Sequence, residues 1–446
     1  MLRRLLVIML ALFLPVSACL AAEKNKYTPF PKIQIVKMNH KETRQKNGSI
    51  IDAFYPVTAT QQTTDELKSI ITDYIAKIAP TLPPGKRTPE DSKLYIRCIY
   101  SPTGESWLSF LVQARTVYHR QQMNVEATSR TYDMATGQQV HLTDIFPGGS
   151  PAWDVLAKTV REQLTAYFPE DPDPAALDEL VTRESLEDAL FTLEPVKMVL
   201  HYPAALLYPN RSTLMNVKIY YRDLEGMMTE EAAKQTDNSS RPMIALTFDD
   251  GPRYVGTVDL LDDLQYFGVR ATFFLIGDQM DRNRDVVQRE HDEGHTIASH
   301  TWNHYDPRNL KTQALFEGKE KFDQLLSDII GLKSLYMRAP GGRYQEFAKA
   351  GIGLPIIQWS AYSGDISATE HRTIWDKVSG NTENGTIILL HDSRNVTVKA
   401  MPRALYDIRT KGVFCVPVED LFVQNGRELL PNVVYMDANG WVKESQ

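Results

Sequence analysis

Cysteine is almost missing from this chain: 446 residues carry three, at positions 19, 98 and 415. So few thiols cannot build the disulfide framework of a small exported scaffold, and their spacing offers no cysteine-based metal site. Cys98 and Cys415 fall in different expected domains, so a disulfide and two buried free thiols both stay open on sequence alone. Long apolar runs are scarce too: residues 5–14 form a hydrophobic stretch too short for a comfortable membrane span. Nor is there an excess of positive charge. A formal net charge of −7 argues against nucleic acid or an anionic membrane surface as the main partner.

What is present is the balance of a soluble globular protein, 43% hydrophobic and 24% charged. The length is that of two domains rather than one core. Residues 1–22 read as an export signal: Arg3 and Arg4, the short apolar run, then small residues. Val16-Ser17-Ala18-Cys19 also resembles the lipobox of bacterial lipoproteins, which makes Cys19 a candidate lipidation site and the membrane a candidate anchor. The rival is ordinary cleavage after Ala21 or Ala22. Either way the protein is expected to be exported, to the periplasm or the cell envelope.

Beyond the signal, Leu67, Ile70, Ile71, Tyr74, Ile75 and Ile78 recur at helical spacing over 65–79. Strand-like runs follow at 94–96, 107–117 and 123–132, a helix at 152–168, and further strands at 196–201 and 215–221. Residues 25–225 therefore read as an α+β accessory domain. The polar stretch 226–241, ending in Asn238-Ser239-Ser240-Arg241-Pro242, reads as a linker. Over 242–424 the rhythm changes to short apolar strands at 243–248, 271–275, 296–299, 335–338, 356–359, 387–390 and 413–416, with helical patterns between them. That alternation is the mark of an α/β fold, here a distorted (β/α) barrel of about seven parallel strands, whose chemistry gathers at the C-terminal strand ends. Residues 425–446 are expected to be a tail.

The strand ends carry unusual side chains. Met243 to Phe248 leads straight into Asp249-Asp250-Gly251-Pro252. Two acids closing a buried strand are costly without a cation beside them. Side chains alternate along a strand, so the pair is expected to point in different directions and to have separate jobs. The bland reading is an Asx-type turn. His300-Thr301-Trp302-Asn303-His304 follows the next but one strand, and a helical turn there would put both imidazoles on one face. Alone, the pair could equally be a polar loop; with one carboxylate it is a common ligand set for a catalytic divalent metal. His295, before that strand, reads as structural. Arg338-Ala339-Pro340-Gly341-Gly342, Trp359 through Asp365, and Ile387 through His391 end three further strands.

Over roughly residues 241–420 the sequence resembles the NodB-homology polysaccharide deacetylases, carbohydrate esterase family 4. The likeness rests on Thr247 through Pro252, His300 through His304, the Arg-x-Pro-x-Gly pattern from Arg338, and the apolar alternation ending in His391. A fourth motif departs from the pattern: Asp365 is followed by Ile366 rather than Trp, and Tyr362 stands where another acid is usual. That departure touches substrate preference more than chemistry. The resemblance implies Asp250, His300 and His304 as metal ligands and Asp249 as the base that takes a proton from the attacking water. It implies His391, oriented by Asp365, as the acid serving the leaving amine. Arg338 would hold Asp249 ionised, its bland reading being a plain salt bridge. Gly341, Tyr344 and Trp359 would meet the oxyanion and the substrate. The metal would be divalent, Zn2+ first, with Co2+, Ni2+ or Mn2+ as alternatives.

The implied substrate is an N-acetylated glycan: peptidoglycan, a chitooligosaccharide or an exopolysaccharide. Glycoside hydrolysis is a poor rival, because its two carboxyls must face each other across about 5–9 Å, which adjacent residues do badly. A non-catalytic glycan-binding protein of the same fold is the other rival, but it has no need of a ligand set and a base. Residues 132–146 and 191–221 resemble more weakly the domain that precedes some peptidoglycan deacetylases and occurs in lysozyme-sensing anti-sigma factors. That likeness tilts the substrate toward peptidoglycan and leaves the protein partner of the N-terminal domain unknown.

Overall fold

The computed structural model describes residues 29–85, 92–440 and, for the backbone alone, 442–443. The export signal and Cys19 lie outside the described residues. Among the described residues no helix is long and apolar enough to cross a membrane.

The first half is built on a six-stranded sheet: β1 (Lys37–Arg44), β2 (Ile50–Val57), β3 (Ser92–Thr103), β4 (Trp107–Tyr118), β5 (Gln121–Asp133) and β6 (Gln138–Val140), neighbours in chain order. All pairs are antiparallel except β2 with β3, which are parallel and joined by the helix Gln61–Ile78. That helix buries Leu67, Ile71 and Ile78 against Leu94, Ile96 and Phe110 of the sheet, the stripe its spacing demands. A second, antiparallel sheet of β7 (Phe191–Leu193), β8 (Lys197–Pro203) and β9 (Leu214–Tyr220) shares an apolar cluster with the helix Ala152–Thr165.

The stretch expected to be a linker is packed structure. Thr229 caps a helix, Glu230–Thr236, accepting from the Ala232 N–H at 3.3 Å. Gln235 Oε1 accepts from the Glu105 and Ser106 N–H groups, and Asn238 Oδ1 from that of Gly104. Its polar composition serves the backbone of the β3–β4 turn, which is why no apolar period marks it.

The second half is a parallel sheet with helices between its strands. In order across the sheet run β12 (Thr296–Ser299), β11 (Thr272–Leu275), β10 (Met243–Gly251), β15 (Ile387–His391) and β14 (Ala361–Tyr362), with β16 (Phe414–Cys415) beside the start of β10. The expected strand at 335–338 shrinks to a bridge at Met337, which joins Ser299 to Ile356 of β13 (Ile356–Ile357). The Ser299 N–H donates to Tyr336 O and the Arg338 N–H to Ser299 O, the two bonds of that bridge, while the Met337 N–H turns the other way, to Pro355 O. β13 continues into β17 (Val434–Tyr435) and β18 (Val442–Lys443), so part of the expected tail belongs to this sheet. Helices Tyr254–Phe267, Arg284–Asp292, Thr312–Ile330 and Asn395–Thr410 cover the strands, burying Leu260, Leu264, Phe322 and Leu405 against Phe248, Phe273 and Leu390. Each such side chain contributes about 1.5–3 kcal/mol of burial free energy.

Buried polar groups join the halves. The Asp292 carboxylate accepts from Thr213 Oγ1 (2.5 Å), the Leu214 N–H (3.0 Å) and Gln122 Nε2 (2.8 Å). Lys197 lies between Glu194 (3.1 Å) and Asp420. Cys98 and Cys415 are free thiols in separate apolar clusters, and burial pushes the Cys415 thiol up to about 12, so neither is a ready nucleophile.

Candidate metal centre and active site

The strand β10 delivers Asp249 and Asp250 at its C-terminal end, beside His391 at the end of β15; Asp249 and His391 are ladder partners. The expected alternation fails at this point. Asp250 has φ +78°, and the register with β11 slips between Asp249 and Gly251. This kink turns both carboxylates toward one imidazole: His300 Nε2 lies 3.7 Å from Asp249 Oδ2 and 3.6 Å from Asp250 Oδ1. A positive φ on a residue with a side chain is strain of the kind that concentrates at functional sites.

The two histidines do not sit on a helical turn. Residues 300–304 are a loop with positive φ at Thr301 (+72°) and His304 (+58°), which no helix tolerates. The loop is pinned instead by bonds from the Gly277 N–H to Thr301 O and from the Asp278 N–H to Trp302 O. It still brings the rings to 5.0 Å, with His304 Nε2 3.4 Å from Asp250 Oδ1. One ligand atom each of Asp250, His300 and His304 lie within 4.8 Å of one another.

The chemistry of this donor set fits a divalent cation. Asp250 Oδ1 is buried and has no hydrogen-bond partner, although it faces two imidazoles. His300 Nδ1 is 2.9 Å from the Arg338 carbonyl, which fixes the proton there and leaves Nε2 with its lone pair turned inward. Burial holds His300 below the ordinary histidine range, against the pull of Asp249 and Asp250, which favours the neutral imidazole that a metal ligand needs.

Arg338 is fully buried and every face of it is used. Nη1 donates to Asp249 Oδ1 and to Thr247 Oγ1, both at 2.8 Å; Nε donates to Ile357 O and Nη2 to Gln358 O. Its guanidinium carbon lies 4.0 Å from the centre of the Phe274 ring. Burial lowers its pKa, but the Asp249 carboxylate opposes this, and an arginine stays charged regardless. This clamp leaves Asp249 Oδ2 as the oxygen turned to His300.

His391 forms a second pair. Its Nδ1 is 2.9 Å from Asp365 Oδ1, while Asp365 Oδ2 accepts from the His391 N–H and from Thr397 Oγ1, both at 2.7 Å. Burial disfavours a charged imidazole, yet the hydrogen bond and charge of Asp365, with Asp249 and Asp250 beyond, raise its pKa above the usual value. Asp365 is held low: burial raises it, and the bonds from His391 and Thr397 outweigh that. Sequence reasoning gave no role to Thr397, Thr247 or Asp392, although Thr247 opens the acidic motif and Asp392 is the acid that follows His391 at its strand end. Asp392 is fully buried, accepts from Thr257 Oγ1, and is pushed up to about 7 by burial and by the nearby Asp250 charge.

Of the three expected wall positions, Gly341 takes φ +60° in the turn after Arg338. Trp359 lies against that turn, its ring 3.0 Å from where a Cβ on Gly342 would stand. The Tyr344 ring is buried among Met337, Ala339 and Phe347, so its side chain is core and only its backbone faces the turn. His295 is buried, accepts from the Ala271 N–H at Nδ1 and is held neutral by burial and nearby arginines.

Residues 236–351 match the family described as polysaccharide deacetylase. The chain belongs to that family. The peptidoglycan-N-acetylglucosamine deacetylase PgdA of Listeria monocytogenes is 34% identical over 194 residues, 44% of this chain and 41% of that protein. A peptidoglycan-N-acetylglucosamine deacetylase of Bacillus cereus is 31% identical over 195 residues, 41% of this chain and 89% of that protein. A chitin deacetylase of Arthroderma benhamiae is 35% identical over 189 residues, covering 39% of this chain and 50% of that protein. The chain thus spans about two fifths of the length of the Listeria relative.

Proposed function

We propose that this protein hydrolyses the N-acetyl groups of an N-acetylated polysaccharide, peptidoglycan in the first place, releasing acetate with the help of a divalent cation. The single observation that carries the reading is the convergence of three metal-ligand atoms, within 4.8 Å, beside two buried acid–base pairs. A divalent cation held by Asp250, His300 and His304 would supply Lewis-acid polarisation of the acetyl carbonyl and of water. Asp249, kept ionised and aimed by Arg338, takes the proton of the attacking water at Oδ2. The backbone N–H groups near Gly341 and Tyr344 meet the developing oxyanion, each such donor being worth roughly 3–4 kcal/mol. His391, protonated and oriented by Asp365, gives its proton to the departing amine. Two acid–base groups of opposite protonation flank one reacting carbon, as amide hydrolysis requires.

Relatives that are named as peptidoglycan deacetylases support the choice of glycan. The same reading makes the protein exported and envelope-associated, with Cys19 as the lipid anchor and Zn2+ as the metal. It takes residues 25–225 as an accessory module and the second half as the deacetylase. In that unit, the segment 356–362 meets Met337 at one end and β15 at the other, which supports a distorted barrel. The test is to incubate the purified protein with N-acetylated peptidoglycan, with and without a chelator, and quantify acetate. Acetate is expected only without the chelator, and to return when Zn2+ is restored. Acetate released equally in chelator would remove the metal from the proposal.

A further inference from the structure

Two arginines stand on the His391 side of the site with no part in the chemistry above. Arg394 is exposed, and its backbone N–H donates to His391 O at 3.3 Å. Its Nη2 donates to Ile366 O at 3.0 Å, which lays the guanidinium over the segment between Tyr362 and Ile366. Arg253 is also exposed, and its N–H donates to Thr257 Oγ1 at 3.0 Å. Thr257 in turn donates to Asp392 Oδ2. Gly256, at φ +102°, lets this loop press on the carbonyl of Asp392, where a Cβ would come within 2.8 Å. Both arginines are therefore tied to the His391–Asp392 strand end, Arg394 directly and Arg253 through Thr257.

Among the described residues neither Arg253 nor Arg394 forms an ion pair, whereas Arg308 and Arg343, on the loops after His304 and Arg338, share the Asp306 carboxylate at 2.6 and 2.7 Å. A guanidinium pair on a protein of net charge −7 is a local feature rather than a consequence of overall charge. Planar guanidinium groups match carboxylates with two parallel hydrogen bonds. Tyr362 and Ile366, on the segment that Arg394 bonds, are both exposed.

We propose that Arg253 and Arg394 form a carboxylate-recognition pair, so that the preferred glycan carries a carboxylate next to the N-acetyl group that is removed. This rests on the deacetylase reading and names its substrate class: an amino sugar with a lactyl carboxylate, or one linked to a uronic acid. The two sources share one chemistry and are separated by experiment.

Acetate release is measured on neutral chitopentaose, on peptidoglycan strands stripped to the free lactyl carboxylate, and on an alternating N-acetylglucosamine–glucuronic acid oligosaccharide. The wild-type protein is expected to prefer at least one anionic glycan over the neutral one in kcat/KM. In the double variant Arg253→Gln/Arg394→Gln that preference should fall by about tenfold or more, mainly through KM. It should fall also with added salt. Arg394→Lys should keep part of it. The anionic glycan with the larger loss identifies the source of the carboxylate. No preference in the wild type, or an equal loss on neutral and anionic glycans, would overturn the proposal. Silence toward all three glycans would instead overturn the deacetylase reading, and this inference with it.

Discussion

Asp249 and Asp250 are chain neighbours with different surroundings, and a pair of substitutions separates their neighbourhoods. Asp249 is clamped by Arg338 at 2.8 Å and touches the metal-ligand set only through His300 Nε2 at 3.7 Å. His304 is one of the three proposed ligands, and its ring nitrogen Nε2 lies 3.4 Å from Asp250 Oδ1. Asp249→Asn is therefore expected to keep its bound metal and lose about 10²–10⁴ of kcat, the usual range for a general base. His304→Ala is expected to lose both activity and metal, read by elemental analysis of the dialysed protein. Full turnover in either variant would refute the assigned role. At this scale much was legible: an acid pair, two histidines, an arginine and a histidine each sat at a strand end. What could not be read was how they meet. Alternation predicted opposed carboxylates, and helical spacing predicted a turn at 300–304. Positive φ at Asp250, Thr301 and His304 replaces both arrangements, and none of the three is the glycine that would announce it.

The acid–base pair of His391 and Asp365 draws on three elements: the end of β15, the loop after β14, and the start of the helix Asn395–Thr410. Thr397, fully buried on that helix, supplies one of the hydrogen bonds that keep Asp365 ionised. The direction of the resulting pH dependence follows from the shift. His391 is raised above the ordinary histidine value, so its protonated, proton-donating form persists to higher pH and is lost as pH climbs through that raised pKa. The alkaline limb of kcat/KM should therefore lie above pH 6.5 and move to lower pH in Asp365→Asn. A smaller shift the same way is expected in Thr397→Val, with Thr397→Ser restoring the limb. A limb that stays put in Asp365→Asn would detach it from His391. Elements with strong apolar periods were legible in the sequence, as with the helix Gln61–Ile78, expected from its spacing over 65–79. Those that pair by other means were not: β1 is an exposed edge, and the helix Glu230–Thr236 buries polar side chains. The strand expected at 335–338 shortens to one bridge, and the buried Arg338 at its end spends its side chain on Asp249, Thr247, Ile357 and Gln358, which no apolar pattern announces.

The two halves of the molecule are held together by polar groups that neither half could bury alone. Asp292 ends a helix of the second half, is 1% exposed, and accepts three hydrogen bonds from Gln122, Thr213 and Leu214 of the first. Its carbonyl takes a fourth, from Gln113. Nearby, Tyr167 and His291 bond across the same seam at 2.8 Å, and Lys218 reaches Glu419 at 2.8 Å. None of this was legible, because polar contacts between positions 78 to 201 residues apart leave no period or motif behind. Physical consequences follow from the geometry. Removing the carboxylate strands three buried donors, and each unsatisfied buried group costs about 1–3 kcal/mol. Asp292→Ala should therefore destabilise the protein by about 3 kcal/mol or more, measured by urea unfolding. Asp292→Asn keeps one acceptor oxygen but sets an NH2 group against the remaining donors, so it should fall between the two. Because the seam couples the halves, the wild type is expected to unfold in one calorimetric transition. Asp292→Ala should broaden or divide that transition, while its metal content stays at the wild-type level, since Asp292 lies outside the ligand set. A variant with unchanged stability and a single sharp transition would mean that the halves are coupled by their apolar contacts alone, through residues such as Val196 and Phe414 in their shared cluster.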